Sequence, residues 1–435
     1  MSFGPSVRNS AGLGLLGVPS LKSTRPYPQL DLNFLTGSLD PRITFTRATT
    51  GTYVDSAGVL QSAAINAPRF DYSPTTLALL GLLVEPARTN SLRNNTMQGA
   101  VAGTPGTFPT NWTVPALGTL SQTIVGVGAT SGIEYIDVRF FGTTSATSFS
   151  IGFDQNTQIP ALSGQAWTNS TYFAVIGGSE TNITSIANAI IGRNSIGTTL
   201  EYFAGVDRKS QTTFARVSNT ATFANASTVF AQSSIVFTFA SGVAIDITIR
   251  IGLPQLELGA GASSVIKTTT TALSRSADVP RMTGTNFSDW YNAENGTMVV
   301  TYDHISNLST AADYFNYWAF SDGTSSNRML QRSQNGTRIS LIATGGVSVT
   351  NSLVADTVGV TQKIALAYSA TQMAVCGTGV TAVTTTTLTS GLPVVSQLGI
   401  GVGAVNEAAL NGHIKAIQYY PRRVSNGELT AFVTV

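Results

Sequence analysis

The chain has 435 residues, with 24 Lys and Arg against 22 Asp and Glu; charged residues make up 11% of it and hydrophobic ones 42%. A net charge of +2 offers no electrostatic case for nucleic acid, whose phosphates call for clustered Lys and Arg, and the single cysteine, Cys376, excludes an internal disulfide framework and a thiolate metal cage. His304 and His413 are the only histidines, no apolar run reaches membrane-spanning length, and the short run from Leu13 to Val18 lacks the flanks of a signal peptide, so no metal, cofactor or membrane is expected.

Glycine (42 residues) and threonine are plentiful while Glu and Lys are scarce, which favours strands and turns over helices. Residues 1–30 are rich in Gly, Pro and Ser and cannot build a core. They read either as a loose terminus or as an attachment arm anchored by Phe3, Leu13, Leu15, Leu16 and Val18. Residues 31–92 read as a small β module. Ile43, Phe45 and Arg47 alternate with Thr44 and Thr46 as in a half-buried strand. Asp55-Ser56-Ala57-Gly58 is a tight turn, and Leu77 to Val84 is an apolar run of strand length closed by Pro86. Arg47, Arg69 and Arg88 share this stretch with Asp55, Asp71 and Glu85, a spacing suited to ion pairs that pin loops together rather than to catalysis.

The same stretch carries a likeness. RATTGTYVDSAGVL, APRFDY and GLLVEPARTNSL resemble a module of tailed-bacteriophage virion surface proteins, the group of head-spike or head fibres and tail fibres. The resemblance implies a virion-surface location, attachment to other virion proteins, and a carbohydrate-binding-like jelly roll and a concanavalin-like domain downstream.

Residues 93–265 meet that expectation. Ile133 to Phe141, Phe149 to Phe153, Tyr172 to Ile176, Ile235 to Phe239 and Ala244 to Ile251 are strand-like runs at the spacing of a β-sandwich. Ile183 to Ile191 fits either a short helix or a strand. The closing IDITIRIGLPQLELGAG is similar to the last strand of carbohydrate-binding-like jelly rolls. Residues 266–279, with Thr268 to Thr271, read as an extended linker. Residues 280–435 form a second all-β unit, whose final GHIKAIQYYPRRVSNGEL resembles the last strand and closing helix of concanavalin-like, laminin-G-like domains, with Ser425 and Glu428 placed as a capping box.

For chemistry, Trp112 and Trp167 in the first sandwich, and Tyr314, Asn316 and Trp318 in the second, are the candidates for sugar stacking. Strict alternation along YFNYW puts Tyr314, Asn316 and Trp318 on one face and Phe315 and Tyr317 on the other. A glycan hydrolase needs two carboxylates facing across the sugar, and none of Glu294, Asp303, Asp313, Asp322, Glu407 and Glu428 forms a closely spaced acidic strand motif such as E-x-D-x-x-E, nor do they make a dense oxygen cluster for calcium. The sequence therefore reads as all-β: a small N-terminal module followed by two jelly-roll-type β-sandwiches with little helix. With the resemblance, it describes a non-enzymatic bacteriophage virion protein (head fibre, decoration protein or tail fibre), a homo-oligomer and by analogy with fibres a trimer, binding bacterial surface polysaccharide. A glycan depolymerase and a capsid-stabilising cement protein are the alternatives.

Overall fold

In the computed structural model, which describes residues 27–113, 115–305, 314–380, 382–405 and 408–434, nearly every element is an antiparallel strand. Helix among these residues is confined to the turns Phe34–Thr36 and Thr285–Ser288 and to the closing helix Asn426–Val433. The candidate anchors Phe3, Leu13, Leu15, Leu16 and Val18 lie outside the described residues.

The first sandwich packs two five-stranded sheets. One runs Ser121–Thr130, Ile133–Thr143, Ala244–Leu258, Ala166–Ser179, Ala215–Thr222 in spatial order. The other runs Ser148–Gly152, Phe230–Phe239, Ile183–Arg193, Thr199–Ala204, with Ile159–Pro160 beside Phe230–Phe239. Ile183–Arg193 is thus a strand, and its Ile183, Ile186 and Ile190 enter the core between the two sheets. Inward residues alternate as expected: Ile136, Val138 and Phe140 from one strand meet Ile245, Ile247, Ile249 and Ile251 from its neighbour and Phe237 from the opposite sheet in one core.

The second sandwich is built from more of the chain than its C-terminal part. Its eight-stranded sheet runs Thr384–Thr387, Gln372–Gly377, Gln362–Ser369, Asn295–His304, Gly412–Tyr420, Leu79–Val84, Phe70–Tyr72, with Leu30–Asn33 also paired to Gly412–Tyr420. The seven-stranded sheet runs Thr44–Thr46, Val279–Thr283, Gln397–Ile400, Tyr314–Ser321, Arg328–Gln334, Thr337–Thr344, Val347–Ala355. Residues 31–92 are therefore small and all-β, but they do not close on themselves as a separate domain. Leu30, Leu32, Phe34, Ile43, Phe45, Leu82 and Val84 enter the same core as Met298, Trp318, Phe320 and Tyr419. The stretch has too few apolar side chains to enclose a core, and the larger sheets offer it one. Arg88–Asn90 pairs with Leu273–Arg275 instead of joining either large sheet, and the hairpin Gly51–Val54/Leu60–Ala63 forms a small sheet of its own. Its turn is the one expected: Asp55 Oδ1 accepts from the N–H groups of Ala57 and Val59 at 2.9 Å each, and Gly58 takes a φ of 74°.

The linker is also fixed. Leu273–Arg275 pairs with Arg88–Asn90, and the Thr268 N–H donates to Asn95 Oδ1 at 2.7 Å. At the other end, the helix Asn426–Val433 starts with the expected capping box and packs Leu429 and Val433 on the outer face of the eight-stranded sheet, against Ala365, Ala374 and Cys376.

A buried ionic hub joins module, linker and both sandwiches. Arg69 binds Glu85 (2.6 Å) and Asp278, Arg47 binds Asp278 (3.0 Å), and Arg275 binds Glu85 (3.1 Å). Ser264, just past the last strand of the first sandwich, donates its N–H and its hydroxyl to Glu85 at 2.5 and 2.7 Å. Ser263 in turn donates its hydroxyl to Glu257 at 2.6 Å. Arg47, Arg69, Arg275, Glu85, Asp278 and Glu257 are all buried, so three cations and three anions balance within one site. Of the six residues expected to pin loops, Arg47, Arg69 and Glu85 meet here. Arg88 lies outside the hub, Asp55 makes the hairpin turn, and Asp71 accepts from the Val54 N–H (2.7 Å) and contacts His413 (3.2 Å).

Candidate functional site

The tryptophans do not present ring faces to solvent. Trp112 is 6% exposed, lies edge-on to Phe153 at 4.8 Å, and donates its indole N–H to the Asn94 carbonyl at 2.8 Å. Trp167 is in the same core. Trp318 is fully buried, with its N–H on Gln331 Oε1 at 2.9 Å. Asn316 is buried, with its amide on the Ala408 carbonyl at 3.2 Å, and Tyr314 is half-buried beneath the Arg332 guanidinium, 4.6 Å from the ring centre. The reason is a bulge. Asn316 pairs with Arg332 but Trp318 pairs with Gln331, so Tyr317 is an extra residue. The alternation changes phase there, and Tyr317 and Trp318 both point into the core with Phe315 and Phe320. The assumed face Tyr314–Asn316–Trp318 does not exist as a stacking platform.

Asp303, Asp322, Asp356 and Glu428 of the second sandwich have structural partners. Asp303 contacts His413 Nδ1 (2.7 Å) and Lys415 (3.0 Å). Burial disfavours the His413 charge, yet bonds to Asp303 and Asp71 raise its pKa to about 9. Asp356 accepts from the hydroxyls of Tyr302 (3.1 Å) and Tyr317 and from the Gln362 amide (2.7 Å). Asp322 caps its own turn through Thr324 and Asn327, and Glu428 is held down to about 2 by the Arg422 guanidinium and by its capping bonds. Asp313 and Glu407 lie outside the described residues. Among the described residues no group of three His, Cys, Asp or Glu side chains is arranged to hold a metal ion.

An aromatic surface does exist, on the outward face of the first sandwich. Asp137, Arg139 and Phe141 alternate outward along one strand with Tyr135, and Asp246 and Arg250 do so along its neighbour. In register, Tyr135 sits opposite Gly252 and Gly252 opposite Tyr172, which pairs with Arg216. The Phe214 ring fills the place over Gly252: a Cβ there would fall 2.7 Å from Phe214 Cζ. Tyr135, Phe214 and Tyr172 thus form a half-buried strip across the sheet, with ring centres 6.2 and 5.7 Å apart. The Arg250 guanidinium lies 3.6 Å from the Tyr135 ring centre and is held by Asp137 through bonds of 2.8 and 2.9 Å. Beside it, Arg139 and Asp246 make a second two-bond pair at 2.7 and 2.6 Å. At the Tyr172 end the strip opens into a cavity of about 230 Å³ between the sandwiches, lined by Tyr53, Tyr172, Arg216, Ser218, Leu83 and Ile305 among others. Its floor includes Glu85, Ser263 and Ser264 of the ionic hub.

No family model matches this sequence, and no curated protein does. Solved structures it is similar to include the mouse laminin alpha1 chain, domains LG4-5 (7% identity, 63% of this chain and 85% of that one, TM-score 0.22). Another is the N-terminal CBM22-1-CBM22-2 tandem domain from Paenibacillus barcinonensis Xyn10C (10% identity, 74% and 99%, TM-score 0.21). A third is a truncated AlyQ with CBM32 and alginate lyase domains (11% identity, 65% and 90%, TM-score 0.23). At these scores they add no site residue.

Sequence reasoning passed over Tyr135, Phe214 and Tyr172 because Phe214 precedes its strand and the three lie far apart in sequence. The alternation in IEYIDVRFF, which sets Tyr135 opposite in phase to Ile136, was the available signal.

Proposed function

We propose that this chain is a non-catalytic structural protein of a bacteriophage virion surface that holds bacterial surface glycan on the outward sheet of its first sandwich. The observation carrying the binding site is the strip Tyr135–Phe214–Tyr172, bordered by Arg250–Asp137 and Arg139–Asp246. Aromatic rings cover the apolar faces of a pyranose, and fixed guanidinium and carboxylate groups meet its hydroxyls. The carboxylates beside the strip are engaged by arginines, which suits recognition and not acid catalysis. The virion context rests on the likeness of residues 47–92 to phage fibre modules. A junction between the sandwiches held by buried ion pairs suits a particle-bound protein.

One such site binds weakly, at about −4 kcal/mol or a millimolar Kd, and many copies on a particle supply the avidity. The test is titration of the purified protein with surface polysaccharide extracted from the host, beside the Tyr135→Ala and Tyr172→Ala variants. Binding should fall about tenfold for each variant, roughly 1.4 kcal/mol, with no release of reducing ends. Unchanged binding in both folded variants would refute the site, and reducing-end release would refute the non-catalytic reading. Electron microscopy of intact particles that showed no density for the chain would refute the virion assignment.

A further inference from the structure

We propose that one flank of the second sandwich is a homodimer interface in which both of its sheets continue into a second copy about a twofold axis. The seven-stranded sheet ends at Val347–Ala355 and the eight-stranded sheet at Thr384–Thr387. The two edges lie on the same flank, joined by a bond from the Asn351 amide to the Thr386 hydroxyl at 2.8 Å.

The backbone specifies what this flank accepts. Thr344 and Val347 close a two-residue turn of Gly345 and Gly346, both at positive φ. The closing pair of such a hairpin exchanges both of its hydrogen bonds. Ser348, Thr350 and Ser352 then fall on the alternate positions, whose N–H and C=O groups point away from the sheet; all three are exposed. Three donor–acceptor pairs at strand spacing are a template for another strand.

The charge pattern specifies a second copy. Edge strands are ordinarily guarded by charged side chains or proline. Here the sequence from Ile339 to Ala355 has no Asp, Glu, Lys or Arg, nor does that from Ile364 to Asn406. Around a twofold axis each residue near the axis meets its own counterpart, so any charge would face the same charge. A flank emptied of charge is the composition that such self-pairing requires. Val347 (55% exposed), Val354 (41%) and Val394 (85%) supply apolar surface on or beside it. The edge of nine residues is about 30 Å long, and two sheets about 10 Å apart with their side chains make the flank about 20 Å wide. That gives about 600 Å² per copy and about 1,200 Å² in all, the lower end of stable interfaces. An edge strand that pairs antiparallel with itself closes as a dimer, so this interface sets two copies where the fibre resemblance implied three.

Light scattering coupled to size exclusion on the full chain at micromolar concentration should give twice the chain mass. A Ser348→Lys/Ser352→Lys variant should give the monomer mass while keeping the wild-type near-ultraviolet circular dichroism, and Thr385→Lys on the other edge should act in the same direction. Hydrogen exchange on the wild type supplies a readout that needs no variant. Amides of Ser348, Thr350 and Ser352 should exchange at least tenfold more slowly in the assembled protein than on dilution to monomer. A wild-type monomer, a trimer, a dimer that persists in the folded lysine variants, or fast exchange at those three amides in the assembled protein would each overturn the proposal.

Discussion

Replacing Glu85 by Gln tests the ionic hub with almost no change of shape. Burial alone would raise the Glu85 carboxyl, but the Arg275 and Arg69 guanidiniums and two bonds from Ser264 outweigh it and hold it at about 2, from an ordinary 4.5. At about 1.4 kcal/mol for each tenfold change in proton affinity, that is worth about 3 kcal/mol at neutral pH. Removing one partner of a buried ion pair costs a similar amount, about 3–5 kcal/mol, because the remaining charge stays desolvated. In Glu85→Gln, Arg69 keeps Asp278, but Arg275 loses its direct ion pair with Glu85. The assay is denaturant unfolding at pH 7 followed by tryptophan fluorescence, since Trp112 and Trp167 report on one core and Trp290 and Trp318 on the other. The wild type should unfold in one transition; the variant should lose about 3 kcal/mol and separate the two sandwiches. The pH dependence supplies a control. A depressed carboxyl stabilises fully above its unfolded value of 4.5, and the contribution disappears as pH falls toward about 2. The variant should lack that part of the acid loss. A cost below about 1 kcal/mol, the range of an exposed pair, would refute the claim that this cluster joins the sandwiches.

His413 has the opposite sign: its folded pKa of about 9 exceeds the ordinary 6.5, so its contribution is complete below pH 6.5 and is lost as pH rises through 9. Melting temperatures of the wild type should fall across that window by the equivalent of about 3 kcal/mol, and His413→Asn should flatten the curve; a wild-type curve already flat from pH 6.5 to 9 would contradict the Asp71–His413–Asp303 bridge. Trp318→Ala should destabilise by about 3–5 kcal/mol in thermal melting and leave polysaccharide binding by the folded fraction unchanged; a binding loss without a stability loss would return Trp318 to the candidate sites.

The local structure of this protein is legible in its sequence. Alternation and β-branched runs specified strands, Asp55 and Gly58 specified a hairpin turn, and Ser425 with Glu428 specified the start of the closing helix, because each depends on groups within a few residues of one another. The sequence also named Arg47, Arg69 and Glu85 as structural ion-pairing residues, though not Asp278, the partner shared by the two arginines, which lies 193 residues beyond Glu85. Which chain segments share a core is set by long-range packing. Leu30–Asn33, Thr44–Thr46 and Leu79–Val84 carry no mark that tells their own module from a sheet built 200 or more residues later; pairing is set by which apolar faces remain uncovered after collapse. The position of Trp318 was decided in the same way. One extra residue at Tyr317 reverses the phase of the strand, and a period of two cannot report a bulge that exists only against the neighbouring strand. The strip of Tyr135, Phe214 and Tyr172 is likewise a product of register, assembled from three strand regions whose sequences, taken singly, show an outward aromatic and nothing more.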